Sequence, residues 1–324
     1  MKNFSERIAI VRKTHSSQEY LSLKEPSYQK EVLKYTSDSF EVDLGEHGDI
    51  TTQLFSDKSL SDAEKSIVSA KIISKSSGIL AGVYEAQFFL SFHQRILVST
   101  LRNDGDIVKS GDVLFFLEGP LVDLLEIERT LLNLLQRMSG VATFTAQFVK
   151  AAGDRVLVTP TRKTLWGLLD KRACAVGGGG THRLNLSDAV LIKDTHLDMV
   201  HRDFDKVFQV FQSQNELGRF VEIEVENAEE AFEVARLYCH HKSFFKVPFF
   251  IMFDNMKPEE ISQCVLEIFK KFPDLLEENG IFFEASGGIR LENIRQFADT
   301  GVDVVSVGVL THSAPAMDIS LKIA

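Results

Sequence analysis

The chain has 324 residues, is 44% hydrophobic, and sets 36 Lys/Arg against 46 Asp/Glu for a net charge of -10. That length and apolar content can bury a full core in one large or two ordinary domains, and the acidic balance argues against a surface built to coat nucleic acid. No run approaches the roughly 18 apolar residues of a membrane span, and the first residues lack the continuous apolar core of a signal peptide. The expectation is a cytoplasmic protein with neither nucleic-acid nor membrane partners. Cys174, Cys239 and Cys264 lie far apart without ligand spacing, so neither a disulfide framework nor a cysteine zinc site is expected.

Residues 1–38 are mixed polar and weakly periodic, and read as an N-terminal extension ending in a helix. From residue 41, turn glycines at Gly45 and Gly48 precede a strand-like run over 66–74, and a helix is expected over 84–92. The following stretch reads as two strands flanking the Asn103-Asp104-Gly105 turn. Over 120–139, Leu121, Leu124, Leu125, Leu131, Leu132, Leu135 and Met138 recur at three- and four-residue steps, which predicts an amphipathic helix ended by Gly140. Glu126, Arg129, Asn133 and Arg137 fall on its other face, where spacing alone makes Arg129 a solvated or Glu-paired residue.

The texture then changes. Strands are predicted at 155–159, 189–193, 219–226, 248–254, 281–286 and 302–308, separated by helices at 201–217, 228–241, 258–272 and 291–299. Such alternation implies a parallel sheet covered on both faces, and six units suit an open, incomplete α/β barrel. In barrels of this kind the reactive residues sit at the carboxyl ends of the strands. Arg162, Lys163, Lys193, Glu224, Asp254, Glu284, Ser286 and Gly308 all fall there.

Between residues 159 and 196 six Lys/Arg face three acids, a local inversion of sign on an acidic chain. A cationic patch of this kind focuses small anions. The run Gly177–Gly180 gives the backbone freedom to bring His182 and Arg183 to that patch, with His196 a weaker candidate. Glu222, Glu224 and Glu226 share one side of a strand by the two-residue period and, with Asp254, suit a hard divalent cation or ribose hydroxyls. Gly287, Gly288 and Gly308 on the last two loops have the makings of a phosphate site, supported by the start of the 291–299 helix.

The motifs TRKT, GGGxxHR, LIKDxH, EIEVEN, FDNM, EASGGIRLENI and GVDVVSVGVLTHSAP, preceded by ERTLLNLLQRMSG and DLGEHGDITT, together resemble one family. It is that of nicotinate-nucleotide pyrophosphorylase, the decarboxylating quinolinate phosphoribosyltransferases. The resemblance covers roughly residues 38–324 and implies the type II phosphoribosyltransferase fold. That fold joins an N-terminal α/β sandwich (39–139 plus 317–324) to an open α/β barrel (140–316), with a last strand at 318–323 returning to the sandwich.

The implied reaction turns quinolinate and phosphoribosyl pyrophosphate into nicotinate mononucleotide, pyrophosphate and CO2 for NAD biosynthesis, with Mg²⁺. By resemblance Arg129 reaches the active site of a partner subunit in a homodimer. Arg162, Lys163, His182, Arg183 and Lys193 hold the dicarboxylate and pyrophosphate; Glu224 and Asp254 lie near ribose and Mg²⁺; Ser286, Gly287, Gly288 and Gly308 cradle the 5′-phosphate, with His312 close by. Lys163, Lys193, Glu224 and Asp254 are the expected catalytic set. The chain departs from the family pattern at Leu165-Trp166, Thr181 and Thr195, and the segment 238–250 reads as a longer aromatic loop used for packing. Alternatives are a related type II enzyme acting on another base and a non-catalytic barrel that binds phosphorylated metabolites.

Overall fold

The computed structural model describes residues 4–56, 66–213, 217–276 and 280–323; of the helix expected over 201–217 it shows Phe204–Gln212, and residues 214–216 lie outside the described residues. The strands are β1 (Ile67–Ser74), β2 (Gly78–Ile79), β3 (Leu97–Thr100), β4 (Ile107–Val108), β5 (Val113–Pro120), β6 (Leu157–Thr159), β7 (Val190–Ile192), β8 (Val221–Val225), β9 (Phe249–Asp254), β10 (Ile281–Ser286), β11 (Val304–Ser306) and β12 (Ile319–Ile323). They form two compact units, one comprising residues 18–146, 165–178 and 314–324, the other 1–17, 147–164 and 179–313.

The first unit is an α/β sandwich. Its sheet runs β12-β1-β5-β3, antiparallel throughout. β1 alternates between the two faces so that Ala70, Ile72 and Ser74 are buried, as expected of a sheet with one face on a core. The segment around Asn103-Asp104-Gly105 is not a simple hairpin: β3 pairs with β5, while β4 pairs with β2.

The helix predicted to stop at Gly140 instead runs Leu121–Ala152. Its buried stripe continues past the glycine through Val141 and Ala142. Gly140 serves close approach rather than termination, because a Cβ there would lie 2.1 Å from the Pro315 carbonyl oxygen. Arg137, assigned by periodicity to an outer face, makes a two-pronged pair with Asp170 at 2.9 Å on each arm. Asp170 Oδ2 also accepts from the Leu165 and Trp166 amides, both at 3.0 Å, which anchors the start of the Gly167–Val176 helix. Trp166 stacks on Tyr35 with ring centroids 5.0 Å apart.

The second unit is the open barrel, a parallel sheet in the order β6-β11-β10-β9-β8-β7. β8 and the first five residues of each of β9 and β10 are buried, as a parallel sheet covered on both faces requires. The segment 238–250 is not a long loop: the Ala228–His241 helix, a short 3-10 turn and β9 account for most of it. Its aromatic residues do pack, with Tyr238 and Phe245 against Phe249 at 4.8 and 5.0 Å.

The amino ends of the strands are closed by the Phe4–His15 helix. Val11 is buried among Leu157, Ala189, Phe220, Phe250, Phe282 and Val304, which stand at or next to the starts of their strands. Arg7 pairs with Asp303 and donates to the Ile281 carbonyl at 2.6 Å.

Replacing Gly140 by Ala tests the close approach. Alanine gains about 1 kcal/mol in helix propensity, but overpacking against backbone costs about 1–3 kcal/mol, and the Pro315 carbonyl has no rotamer by which to yield. A lower Tm in thermal unfolding is the expected outcome; an unchanged or higher Tm would show that the contact relaxes freely.

Candidate active site

The carboxyl ends of the barrel strands open into a cavity of about 650 Å³. After β6 it is lined by Thr161, Arg162 and Lys163, and after β7 by Lys193; β8 contributes Glu224, β9 ends in Asp254 and Asn255, and β10 leads into Ser286, Gly287, Gly288, Ile289 and Arg290. Ser306, Gly308, Val309 and His312 complete the rim from the last loop, and His182 and Arg183 form part of the wall. Arg129 is exposed on the Leu121–Ala152 helix of the sandwich unit.

Hydrogen bonds between loops fix this arrangement. The Val307 amide donates to the Thr159 carbonyl at 2.9 Å, and Thr311 Oγ1 donates to the Lys163 carbonyl at 2.8 Å, so the first and last loops hold one another. Lys163 N donates to Thr161 Oγ1 at 3.1 Å. Gly287 has φ of +91°, and a Cβ there would sit 2.2 Å from Asn255 Oδ1. Asn255 in turn donates through Nδ2 to Asp254 Oδ2 at 2.7 Å. The helix expected to supply a partial positive charge here is only Ile294–Ala298. The loop is shaped instead by Asn293, which accepts from Arg290 N at 2.7 Å and donates to the Gly288 carbonyl at 3.1 Å.

The electrostatics are those of an anion site with an acidic corner. Arg162 and Lys163 are exposed, and their side chains make no ion pair among the described residues. Buried Arg183 has its pKa lowered, first by burial and then by the like charge of Arg162. Opposite them, Lys193 Nζ pairs with Glu224 Oε2 at 2.8 Å. Burial raises the Asp254 carboxyl, and Glu224 raises it further against the opposing effect of Lys193. Concentrated cations with low exposure to counter-charge attract polyanions strongly.

The three glutamates read as one face separate in the structure. Glu224 reaches the cavity, whereas Glu222 lies fully buried beneath it beside Glu284. Glu226 falls beyond the end of β8 and pairs with Arg202 at 2.7 Å, because the strand yields at Val225 to the helix capped by Asn227. Two cations of the basic island also serve elsewhere. Arg172 pairs with Asp104 at 3.2 Å in the sandwich unit, and Lys171 is buried there. His196 accepts from the Lys193 amide at 2.9 Å, as part of a helix cap rather than as a cavity residue.

His182 is held by the chain's own N-terminus. The His15 carbonyl accepts from Thr181 N at 2.6 Å and His182 N at 3.0 Å, and Ser17 N donates to Thr181 Oγ1 at 3.0 Å. A Cβ on Gly180 would lie 2.7 Å from that same carbonyl, so this glycine allows close approach. His182 itself adopts φ of +51°, unusual for a residue with a side chain. Thr181, where the family pattern differs, thus faces the N-terminal segment, and exposed Thr195 lies on the Asp194–Met199 helix outside the cavity lining.

The His182 ring nitrogens are both directed inward. Nδ1 accepts the Arg183 amide at 2.8 Å, while Nε2 lies 3.4 Å from Glu222 and 3.3 Å from Glu284. Burial disfavours the imidazolium, while Glu284 and Glu222 favour it. A second proton on Nδ1 would nonetheless meet the Arg183 N–H head on. The backbone donor is always present, so the neutral tautomer with its proton on Nε2 is the one the geometry accepts.

Sequence reasoning missed Arg290, Asn255 and His15 as contributors. The first two stand inside motifs already singled out, GGIR and FDN, where a cation after two glycines was a usable signal. His15 carried none, since its role depends on an N-terminal helix meeting a loop 166 residues away. The cradle predicts that Gly287→Ala, forced into φ of +91°, costs at least about 1–2 kcal/mol. Titration calorimetry with inorganic phosphate should show affinity at least about tenfold weaker, with Tm lower by about a few degrees; equal affinity would remove the loop from the anion site.

Both parts of the chain have counterparts among known proteins. The family model "Quinolinate phosphoribosyl transferase, C-terminal domain" matches residues 141–322, and "Quinolinate phosphoribosyl transferase, N-terminal domain" matches residues 49–139. A probable nicotinate-nucleotide pyrophosphorylase [carboxylating] of Methanothermobacter thermautotrophicus is 36% identical over 280 residues, covering 85% of this chain and 93% of that protein. The mitochondrial quinolinate phosphoribosyltransferase [decarboxylating] 2b of Nicotiana tabacum is 34% identical, covering 98% and 89%. Among solved structures, the nicotinate-nucleotide pyrophosphorylase of Ehrlichia chaffeensis superposes with a TM-score of 0.76 at 30% identity, covering 92% of this chain and 98% of that one. An open α/β barrel and an α/β sandwich, each matched by its own domain's family model, place this chain in the quinolinate phosphoribosyltransferase family.

Proposed function

We propose that this protein is a decarboxylating quinolinate phosphoribosyltransferase of NAD biosynthesis, a pentosyltransferase taking quinolinate and phosphoribosyl pyrophosphate. The observation that carries the reading is the convergence of Arg162, Lys163, Arg183, Lys193 and Arg290 on one cavity that also holds Glu224 and Asp254. Two polyanionic substrates need the cations, and a ribose centre that gains positive charge needs the carboxylates.

Unpaired Arg162 and Lys163, with Arg183 behind them, hold the dicarboxylate. The loop 286–290 and Gly308 hold the 5′-phosphate through backbone amides, with His312 over Gly308. His182, whose ring nitrogens are engaged below, acts by positioning Arg183. The pyridine nitrogen forms its bond to ribose C1 as the C1–O bond to pyrophosphate breaks. Glu224 and Asp254 stabilise the charge developing at that carbon, and Lys193 the departing oxygen. The C2 carboxylate then leaves as CO2, its bonding electrons remain on the ring beside the cationic wall, and a proton takes its place.

Glu224 and Asp254 are also the residues that would hold Mg²⁺. They fit it: two neighbouring carboxylates, one with its pKa raised by burial and by the other, form the one- or two-carboxylate set typical of Mg²⁺ bound with phosphates. Bound there, Mg²⁺ would supply charge neutralisation at the pyrophosphate. Exposed Arg129 is proposed to enter the active site of a second copy in a homodimer. The cytoplasm is the proposed compartment, in keeping with three free cysteines; no helix of the described residues is long and apolar enough to cross a membrane.

Incubation with quinolinate, phosphoribosyl pyrophosphate and Mg²⁺ should release CO2 and pyrophosphate in equal amounts, and Arg162→Ala should lower kcat/KM by about 10²–10³. A wild-type protein releasing neither product would sink the reading, and equal use of nicotinate would assign another base. For Arg129, co-expressed Arg129→Ala and Arg162→Ala chains should recover activity that neither shows alone, because a mixed dimer rebuilds one intact site. Absence of recovery in a verified mixed dimer would place Arg129 outside the partner's site.

A further inference from the structure

Beneath the cavity the barrel encloses His15, His182, Glu222 and Glu284, each at most 5% exposed. One nitrogen or carboxylate oxygen from each lies within 4.8 Å of the others. No well-aligned hydrogen bond reaches the four carboxylate oxygens or His15 Nε2 among the described residues, and His182 Nε2, 3.3–3.4 Å from one oxygen of each glutamate, is the donor that faces the carboxylates. Two carboxylates buried with so little compensation are costly.

The tautomers show what the cluster offers. Thr14 Oγ1 donates to the Val11 carbonyl at 2.9 Å, so at 2.9 Å from His15 Nδ1 it accepts that nitrogen's proton. His15 Nε2 therefore carries a lone pair and aims it at the carboxylates, 3.7 Å from Glu284 Oε2. His182 presents Nε2–H, its Nδ1 being taken by the Arg183 amide. Neither imidazole is then a cation. Arg219, the guanidinium next to His15, is committed to Asp188 and to the carbonyls of Thr14 and His182.

We propose that His15 Nε2, Glu222 and Glu284 bind a divalent first-row transition metal, with His182 Nε2–H donating to their carboxylates from outside the coordination sphere. A tetrahedral shell with bonds of about 2.1 Å has ligand edges of about 3.4 Å, so the 3.7 Å between His15 and Glu284 needs only a small closure. The Nδ1 hydrogen bond to Thr14 is the outer contact that orients a ligating imidazole. One nitrogen with two carboxylates suits zinc, manganese or ferrous iron better than Mg²⁺. This site is separate from Glu224 and Asp254, which face the open cavity. It ties the N-terminal helix into the barrel through its ligand His15, next to the carbonyl that holds Thr181 and His182.

The test uses the untagged full chain, passed over a chelating resin and then loaded separately with zinc and manganese in Mg²⁺-containing buffer. After desalting, elemental analysis should find about one transition-metal ion per chain, retained in Glu224→Gln and lost in His15→Ala and Glu284→Gln. Circular dichroism establishes that each variant is folded. X-ray absorption of the loaded wild type, which needs no variant, should show one imidazole among oxygen ligands. Wild-type uptake below about a tenth of an equivalent of either metal would overturn the proposal, leaving the carboxylates to share protons. Full retention in folded His15→Ala, or a sulfur-ligated spectrum, would overturn the ligand assignment.

Discussion

Like charge has to be held together here against its own repulsion. Arg162, Lys163, Arg183, Lys193 and Arg290 line one cavity of about 650 Å³, and the molecule is arranged to make that arrangement stable before any anion arrives. Exposed cations are screened by water, so Arg162 and Lys163 cost little. Arg183 is the expensive one, buried beside Arg162 with its pKa lowered. Its guanidinium reaches the Ala189 carbonyl, and the acids of β8 oppose the penalty. An incoming polyanion relieves the same strain, which makes this electrostatic cost a source of affinity.

The layer beneath has the opposite problem. Glu222 and Glu284 are fully buried, and Glu222 is pushed up to about 7 by burial and by its neighbour Glu284. The barrel therefore gathers acidic groups below and cations above, with the His182–Arg183 dipeptide at the junction. His182 meets the acids through Nε2 and receives the Arg183 amide on Nδ1, so one strained residue orients the buried guanidinium above it.

That junction depends on the N-terminal helix. Its apolar residue Val11 fills the amino end of the barrel, Arg7 fastens it to Asp303, and its last residue offers one carbonyl to two consecutive amides of the glycine-rich loop. The glycines that make this possible share a logic with Gly140 and Gly287. At each, a Cβ would collide with a carbonyl or side-chain oxygen at 2.1–2.7 Å. Their use is proximity between segments distant in sequence, and flexibility is not required of them.

The sequence by itself determined the layered order of the barrel, because alternating apolar runs and amphipathic helices leave a parallel sheet as the arrangement that satisfies every backbone group. It also located Arg162, Lys163, Lys193 and Asp254, since a polar residue at the carboxyl end of such a strand has one place to go. Only the tertiary structure decided the rest. Whether Gly140 ends a helix depends on the Pro315 carbonyl, and whether Glu226 joins Glu222 and Glu224 depends on where β8 gives way to a capped helix. The part played by His15 depends on a fit between the N-terminal helix and a loop around residue 181. Periodicity reports what neighbours along the chain share, and contacts across the fold are set by shape and unsatisfied hydrogen bonds that no local pattern records.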